Sequence, residues 1–363
     1  MQMQVAGHAR PWIQWAFGGI ALVVGWLYAS YGNFFNWDLI PYMAIVLGYD
    51  GHSPAEAHRL SYQLVQQLPP DVAQALLHEV PYREQCFQDP AFFEAQLGFY
   101  RVKPLFTGMA WVAYKAGMPL YKALQVPAML GFALLCTVTL AWLRRYLRVG
   151  AAVLVSVGIL ASLATQLPRL ITPDALSAGL LLLLFYCWYW QPQRLWLVWF
   201  VWLLLLLCRI DHVLLALPLL AWQLYSGGTA RMHSRWPRVL GAAAGVLILG
   251  LLVPVLLGNR AGWYFDFSIT ESLRSYVVHA GRSLRQLTGT ALPLLAALVL
   301  ATWPVQQRQW QWVLLAAAVT LVFRWALFPT FQERFFVGYE LLACCYLVQV
   351  LAARFPAGGR LQA

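Results

Sequence analysis

The chain has 363 residues, of which 61% are hydrophobic and only 11% are charged. This composition excludes an ordinary soluble domain and is typical of a helix bundle in a membrane. The formal net charge of +11 would be compatible with nucleic-acid binding, but the positions of the charges explain the excess differently. We therefore expect no nucleic-acid partner.

About ten segments are predicted as transmembrane helices, because a span needs about 20 mostly apolar residues. They are residues 12–30, 123–143, 150–168, 174–190, 195–209, 211–226, 239–258, 288–304, 310–328 and 335–352. The fifth and sixth are short and meet at Arg209 and Asp211, which predicts a helical hairpin with a polar tip. The predicted fold is an all-α polytopic membrane bundle, a single domain over residues 1–363 with no separate soluble domain.

Two long loops are predicted on the same side of the membrane. Residues 31–122 follow the first span and include amphipathic stretches, and residues 259–287 form the second loop. Segment 104–121 is apolar enough to pass for a span, but counting it as one would invert the topology of everything that follows. We predict instead a helix that lies along the membrane surface.

This topology sorts the charges. All 14 Asp and Glu residues fall on one face or just inside it, and the opposite face carries only arginines. Those arginines are Arg10, Arg144, Arg145, Arg148, Arg194, Arg231, Arg235, Arg238, Arg308, Arg354 and Arg360. Because basic short loops are typically cytoplasmic, we expect both termini in the cytoplasm, the arginines on membrane lipids, and any active site on the periplasmic side of a bacterial inner (plasma) membrane.

Asp38 is the first candidate for chemistry, just beyond the outer end of the first span and near Tyr42. A carboxylate at this interface could act as a general base on an acceptor hydroxyl or amine. The simpler alternative is a polar residue that satisfies backbone groups at a helix end.

Two cations, Arg101 and Lys103, come before the predicted surface helix. They suit a phosphate at head-group depth, or they snorkel to lipid phosphates. Further along, Arg169 is another candidate for the donor phosphate. It precedes a helix start in which Thr172 is the predicted N-cap, with Asp174 in the first turn. Capping explains Asp174, which could also brace a cation.

Arg324 lies in an otherwise apolar helix, where a charge is costly and usually faces a cavity or the bundle interior. With Arg334 it forms our best candidate pair for holding a phosphate or pyrophosphate. Arg209, Asp211 and His212 could line the same cavity or pair with one another.

Two acids lie close to these arginines in the sequence. Glu333 directly precedes Arg334, and Glu340 lies inside the last span, where we expect it to pair with one of the arginines. The sequence contains no Walker A loop, no glycine-rich dinucleotide motif and no metalloprotease motif. A carrier lipid is therefore a better source of an activated group than a cytosolic nucleotide.

Taken together, these residues resemble the GT-C superfamily of polyprenol-dependent membrane glycosyltransferases, such as the aminoarabinose, mannosyl and arabinosyl transferase group. That family has an Asp after the first span, a Lys-Pro before a surface helix, an Asp at a helix start, a basic residue between the fifth and sixth spans, and an Arg-aromatic pair before a late span. The matching positions are Asp38, Lys103, Pro104, Asp174, Arg209, Arg334 and Phe335.

The resemblance implies a sugar donor on undecaprenyl or another polyprenyl phosphate, and a periplasmic acceptor that is a glycan, a lipid or a protein. It implies inverting displacement, with Asp38 as the base and Lys103, Arg324 and Arg334 on the departing phosphate. Many relatives carry a second acid beside the first, where Leu39 stands here. A bound Mg²⁺ or Mn²⁺ would therefore need Asp50 or Asp174 to be brought in by folding.

Other classes stay open. A transporter or flippase for lipid-linked glycans would show inverted repeats and charged helices near the midplane, and the sequence has no visible repeat. Another carrier-lipid enzyme, such as an O-antigen polymerase or ligase, is the second alternative.

Overall fold

The computed structural model describes residues 12–31, 35–226, 252–257, 273–288, 292–303, 308–327 and 332–355, with a few isolated positions between 241 and 290. Every regular element in these ranges is helical, so the all-α prediction is confirmed for this part of the chain. Half of the predicted span 239–258, and residues 259–272 of the second loop, lie outside the described residues.

The α-helices are, in chain order, α1 (Trp12–Tyr31), α2 (Leu39–Tyr49), α3 (Pro54–Gln66), α4 (Pro70–His78), α5 (Pro81–Gln88), α6 (Pro90–Arg101), α7 (Pro104–Lys115), α8 (Leu120–Leu143), α9 (Val149–Leu163), α10 (Asp174–Trp190), α11 (Leu195–Cys208), α12 (Ala216–Ser226), α13 (Leu273–Thr288), α14 (Leu292–Thr302), α15 (Arg308–Leu327) and α16 (Val337–Arg354). Short 3-10 turns cover Leu167–Arg169, Ile210–Leu215 and Glu333–Phe335.

Among the described residues, three helices are long and apolar enough to cross a membrane, namely Trp12–Ser30, Leu120–Leu143 and Val337–Arg354. Helices α13 and α14 meet at a bend of 73°, and together they would make a fourth span with a break. Several other predicted spans form apolar helices of 10–17 residues, among them α9, α10 and α11. The part of the chain that the structure describes is therefore helical, with three or four candidate spans.

Helices α2 to α7, called the outer helices below, are short because proline interrupts them. A proline stands in the first turn of each helix from α3 to α7. It fits there because the first helical N–H has no partner within the helix, while the residue before a proline is steered away from helical geometry. Helix α7, in the segment predicted to lie on the membrane surface, has 12 residues and is too short to span about 30 Å of hydrocarbon.

The outer helices bury their own core, in which Tyr42, Phe93 and Phe106 are almost fully buried. A second and larger core lies in the bundle around α8, α10, α11 and α16. Ile171, just before α10, packs in the outer core. The start of α10 is therefore a place where the two cores meet.

Small residues fix the crossing of α8 and α10. A Cβ added at Gly131 would lie 2.3 Å from the backbone of Leu176, and one added at Gly179 would lie 2.6 Å from the carbonyl oxygen of Gly131. Close backbone approach through small residues is a common way for membrane helices to pack. It holds the first turn of α10, and Asp174 with it, firmly against α8.

Candidate functional site

Charged side chains from both parts of the molecule converge where the outer helices meet the bundle. We call this set the junction cluster. Its members are Asp38, Lys103, Asp174, Arg209, Asp211, Arg324 and Arg334.

Asp38 holds a partly exposed carboxylate at the turn that leads into α2, with 26% of its side chain accessible. The Tyr100 hydroxyl donates to Oδ1 at 3.2 Å, and Asn36 donates to Oδ2 at 3.0 Å. Arg334 donates from Nη2 to the same Oδ2 at 3.3 Å. These donors fix the orientation of a carboxylate that a ligand can still reach.

Arg334 joins Asp38 to Asp174, since its Nε lies 3.3 Å from Asp174 Oδ2. Asp174 is almost completely buried and also pairs with Arg209. The predicted role of Thr172 as an N-cap is wrong: Pro173 occupies the cap position, and the Thr172 hydroxyl donates to Asp174 Oδ2 at 2.7 Å. Thr172 therefore orients the Asp174 carboxylate and does not cap the backbone N–H groups of α10.

Arg209 and Arg324 share Asp211. Arg209 Nε lies 3.2 Å from Asp211 Oδ1, and Arg324 Nη1 lies 3.1 Å from Oδ2. The extended backbone of Arg209 between α11 and the Ile210–Leu215 turn turns its side chain back toward the start of α10. A buried charge needs such partners because water no longer solvates it.

The ring of Phe335 packs against three guanidinium groups. The Cζ atoms of Arg209, Arg324 and Arg334 lie 4.7, 4.5 and 5.1 Å from its centroid. A planar guanidinium stacks well on an aromatic face. Phe335 therefore spaces the three cations while the carboxylates neutralise them.

Lys103 differs from the arginines of the cluster. Its side chain is buried, and its Nζ lies 4.5, 4.8 and 5.3 Å from the ring centroids of Phe99, Tyr100 and Tyr42. Within the described part of the chain, no carboxylate lies within ion-pair distance of this ammonium and no side chain or backbone oxygen accepts a hydrogen bond from it. Lys103 is thus a buried cation that lacks an anion.

Burial lowers the pKa of the Lys103 ammonium to about 8, and Arg209 acts in the same direction. Asp38, Asp174 and Asp211 oppose this by raising the pKa of Lys103. An anion placed beside the ammonium would add to the effect of the carboxylates and favour the charged form.

Three of the predicted site residues lie apart from the cluster. Arg101 pairs with Glu94 on its own helix, although it is only two residues from Lys103. Arg169 stacks on Tyr28, with 5.2 Å from Cζ to the ring centroid. Asp50 pairs with Lys115 at 2.6 Å, so it does not join Asp38 as a second acid.

The described residues do not fit a metal site. Asp174 is the second acid that folding brings close to Asp38, but the guanidinium of Arg334 lies between the two carboxylates. No group of three or more His, Cys, Asp or Glu side chains comes together anywhere in the described residues. We therefore derive no step that uses Mg²⁺ or Mn²⁺.

His212 and Glu340 lie outside the ion-pair network. His212 is buried, and its Nε2 forms a 2.8 Å hydrogen bond with the hydroxyl of Ser177. The predicted pairing of Glu340 with an arginine is wrong: both carboxylate oxygens are buried without a hydrogen-bond partner among the described residues. Arg324 and Arg334 are already held by other carboxylates. Glu333, in turn, is exposed.

Sequence reasoning did not assign Tyr100 and Asn36 as donors to Asp38. Asn36 could have been found, since a side chain two residues away often bonds locally. Tyr100 is separated from Asp38 by 62 positions, and only the packing of α6 against α2 brings it there.

No protein-family model, curated protein or solved structure matches this chain significantly. The geometry of the site therefore carries the functional conclusion.

Proposed function

We propose that the protein is an integral membrane glycosyltransferase, similar to the GT-C enzymes, that moves a sugar from a polyprenyl phosphate to an acceptor on the non-cytoplasmic side. One observation carries this proposal. The reachable carboxylate of Asp38 and the buried ammonium of Lys103 both contact Tyr100, and among the described residues the ammonium lacks an anionic partner. The first group suits a base, and the second suits a phosphate.

The charges of the cluster favour a particular kind of donor. The carboxylates of Asp38, Asp174 and Asp211 are matched by Arg209, Arg324 and Arg334. Lys103 then leaves one positive charge in excess. A sugar joined to a lipid through a single phosphate carries one negative charge and would neutralise it, whereas a pyrophosphate carries two. The balance therefore favours a phosphate-linked donor over a pyrophosphate-linked one.

The reaction would be a single displacement with inversion. Asp38 takes the proton of the acceptor hydroxyl or amine while its oxygen or nitrogen forms a bond to the anomeric carbon. The bond from that carbon to the phosphate oxygen breaks, and its electron pair leaves with the polyprenyl phosphate. Lys103 stabilises the charge that develops there, while Arg334 holds the carboxylates of Asp38 and Asp174.

Arg324 takes a smaller part than the sequence suggested. Its side chain is buried, paired with Asp211 and stacked on Phe335. It orients Asp211 and, through Asp211, Arg209. Arg324 therefore stabilises the junction cluster, and Lys103 is the residue that binds the phosphate.

In this proposal the chain crosses a bacterial inner membrane about ten times, with both termini in the cytoplasm. The short loops of the opposite face, which carry only arginines, support this topology. A cavity of about 380 Å³ between α1 and α8 is lined only by apolar side chains, including Leu22, Trp26 and Met129. It offers a place for part of an isoprenoid chain.

The test is deletion of the gene followed by mass spectrometry of cell-surface glycans and of lipid-linked sugars. We expect one glycan modification to disappear and its polyprenyl-phosphate sugar to accumulate. Wild-type protein should restore the modification, and Asp38→Asn should not, because loss of a general base costs about 10²–10⁴-fold in rate.

Asp50→Asn is the matched control, since it makes the same chemical change at an acid paired with Lys115 outside the cluster. It should restore the modification. Full restoration by Asp38→Asn would reject the enzyme and leave a transporter as the better candidate.

A further inference from the structure

A cleft of about 640 Å³ lies directly beside Asp38. Asn36 and Arg334 line it, and these are the two side chains that donate to Asp38 Oδ2. The opposite wall is formed by the end of α9 and the Leu167–Arg169 turn region. The volume falls within the range of about 300–1,000 Å³ that is usual for small-ligand sites.

The lining of the cleft suits a sugar. Its polar groups are mostly amides and hydroxyls, from Ser162, Thr165, Gln166 and Gln332 in addition to Asn36. Such groups both donate and accept hydrogen bonds, as sugar hydroxyls do. Leucine side chains and Val337 complete the wall and offer contact to the C–H faces of a ring.

The charges of the cleft disfavour an anion. Arg334 is already held by Asp38 and Asp174. Glu333 lines the cleft and has no ion-pair partner in the described ranges. Glu340, one helical turn beyond the cleft residue Val337, is a buried carboxyl without a partner there. A phosphate in the cleft would therefore meet the unpaired acid Glu333, with Glu340 one helical turn behind Val337, whereas at Lys103 it would meet an unpaired cation.

The two oxygens of Asp38 face these two environments. Oδ1 accepts from Tyr100, whose ring lies against Lys103, and Oδ2 accepts from the cleft residues Asn36 and Arg334. Inversion requires the acceptor and the leaving group on opposite sides of the reacting carbon. With the acceptor in the cleft and the phosphate at Lys103, this requirement is met when the anomeric carbon lies between those two places.

We infer that the cleft is the acceptor site, and that it binds an uncharged, hydroxyl-rich sugar residue of a glycan. This inference rests on the proposed function. It assigns the acceptor to the class of glycans and glycolipids and excludes a phosphorylated group at the position that reacts.

The test is photo-crosslinking in cells, with p-benzoylphenylalanine introduced at position 162 and, in a separate variant, at position 166. The background is Asp38→Asn, so that the acceptor stays unreacted. Position 161 is the matched control, because Ala161 precedes Ser162 on the same helix and is exposed, but does not line the cleft. The adducts are digested and identified by mass spectrometry.

We expect adducts that carry carbohydrate without a polyprenyl phosphate, at least fivefold more abundant at 162 or 166 than at 161. Three results would overturn the inference: adducts with phospholipid or protein alone, adducts with a polyprenyl-phosphate sugar, or equal carbohydrate yields at all three positions. Crosslinking needs no turnover. The two proposals can therefore fail separately. If Asp38→Asn still restores the glycan but a carbohydrate adduct forms, the proposed enzymatic activity is rejected and the proposed binding site is retained.

Discussion

The ion pairs of the outer helices and those of the junction cluster use the same residue types in different surroundings. In the outer helices, Arg83 and Glu79 leave 24% and 59% of their side chains accessible. In the cluster, Arg209 and Asp174 leave only 12% and 2%. A pair of the first kind stabilises a protein by about 0–1 kcal/mol, since water solvates both charges anyway. In the second kind, removal of one partner leaves a buried charge uncompensated.

This comparison makes Lys103 informative. It shares the burial of the cluster, but it lacks the carboxylate that each arginine there has. Burial without a partner is tolerated where an incoming ligand completes the pair. The same reasoning separates residues that maintain the cluster from the residue that we expect to bind the donor.

The largest effect is expected at Arg209, the side chain that contacts both Asp174 and Asp211. Arg209→Met should lower the free energy of unfolding by about 3–5 kcal/mol, because two buried carboxylates each lose a partner. Thermal unfolding of the detergent-solubilised protein, followed by tryptophan fluorescence, measures this. The matched change Arg83→Met should cost about 1 kcal/mol or less; equal losses in the two variants would contradict the comparison.

A smaller effect, on binding, is expected at Lys103. Lys103→Met should weaken the binding of undecaprenyl phosphate by about 10–100-fold, since a hydrogen bond to a charged group contributes about 1.5–3 kcal/mol. Equilibrium titration of the protein in lipid nanodiscs gives the Kd. Lys115→Met removes an exposed lysine of the outer helices and should leave the Kd unchanged. A Kd that is insensitive to Lys103 would remove the proposed phosphate site.

The smallest effect is the dependence of that Kd on pH. Because the pKa of Lys103 is lowered to about 8, the ammonium is charged below this pH and neutral above it. The affinity for undecaprenyl phosphate should therefore fall by up to about tenfold as the pH rises from 8 to 9. The phosphate itself completes its ionisation near pH 6 and does not change in this range. Lys103→Arg should abolish the pH dependence; an unchanged slope would assign it to another group.

The sequence predicted the members of the cluster better than their pairing. Asp38, Arg324 and Arg334 were identified because charges in apolar surroundings are costly and usually functional. Which carboxylate each arginine meets depends on packing between distant segments, such as the 296 positions that separate Arg334 from Asp38. The pairing of Glu340 with an arginine was wrongly predicted for this reason, because the sequence does not reveal that the nearby arginines already pair with other carboxylates.

The fold was predictable to a similar degree. Hydrophobicity indicated an all-α chain, but not where each helix ends. The predicted span 150–168 stops as a helix at Leu163 and continues into the Leu167–Arg169 turn. Local hydrogen bonds, and the prolines that start the outer helices, determine where a helix begins and ends. The average hydrophobicity of a segment contains no information about either.

The proposed reaction requires the junction cluster to face the non-cytoplasmic side of the membrane. The direct measurement is labelling of an Asp38→Cys variant, with the six native cysteines replaced, by a membrane-impermeant maleimide. Arg194→Cys, at an exposed position between α10 and α11, is the control for the opposite face. We predict that position 38 reacts in intact cells and position 194 reacts only after permeabilisation. The reverse pattern would contradict the proposed site.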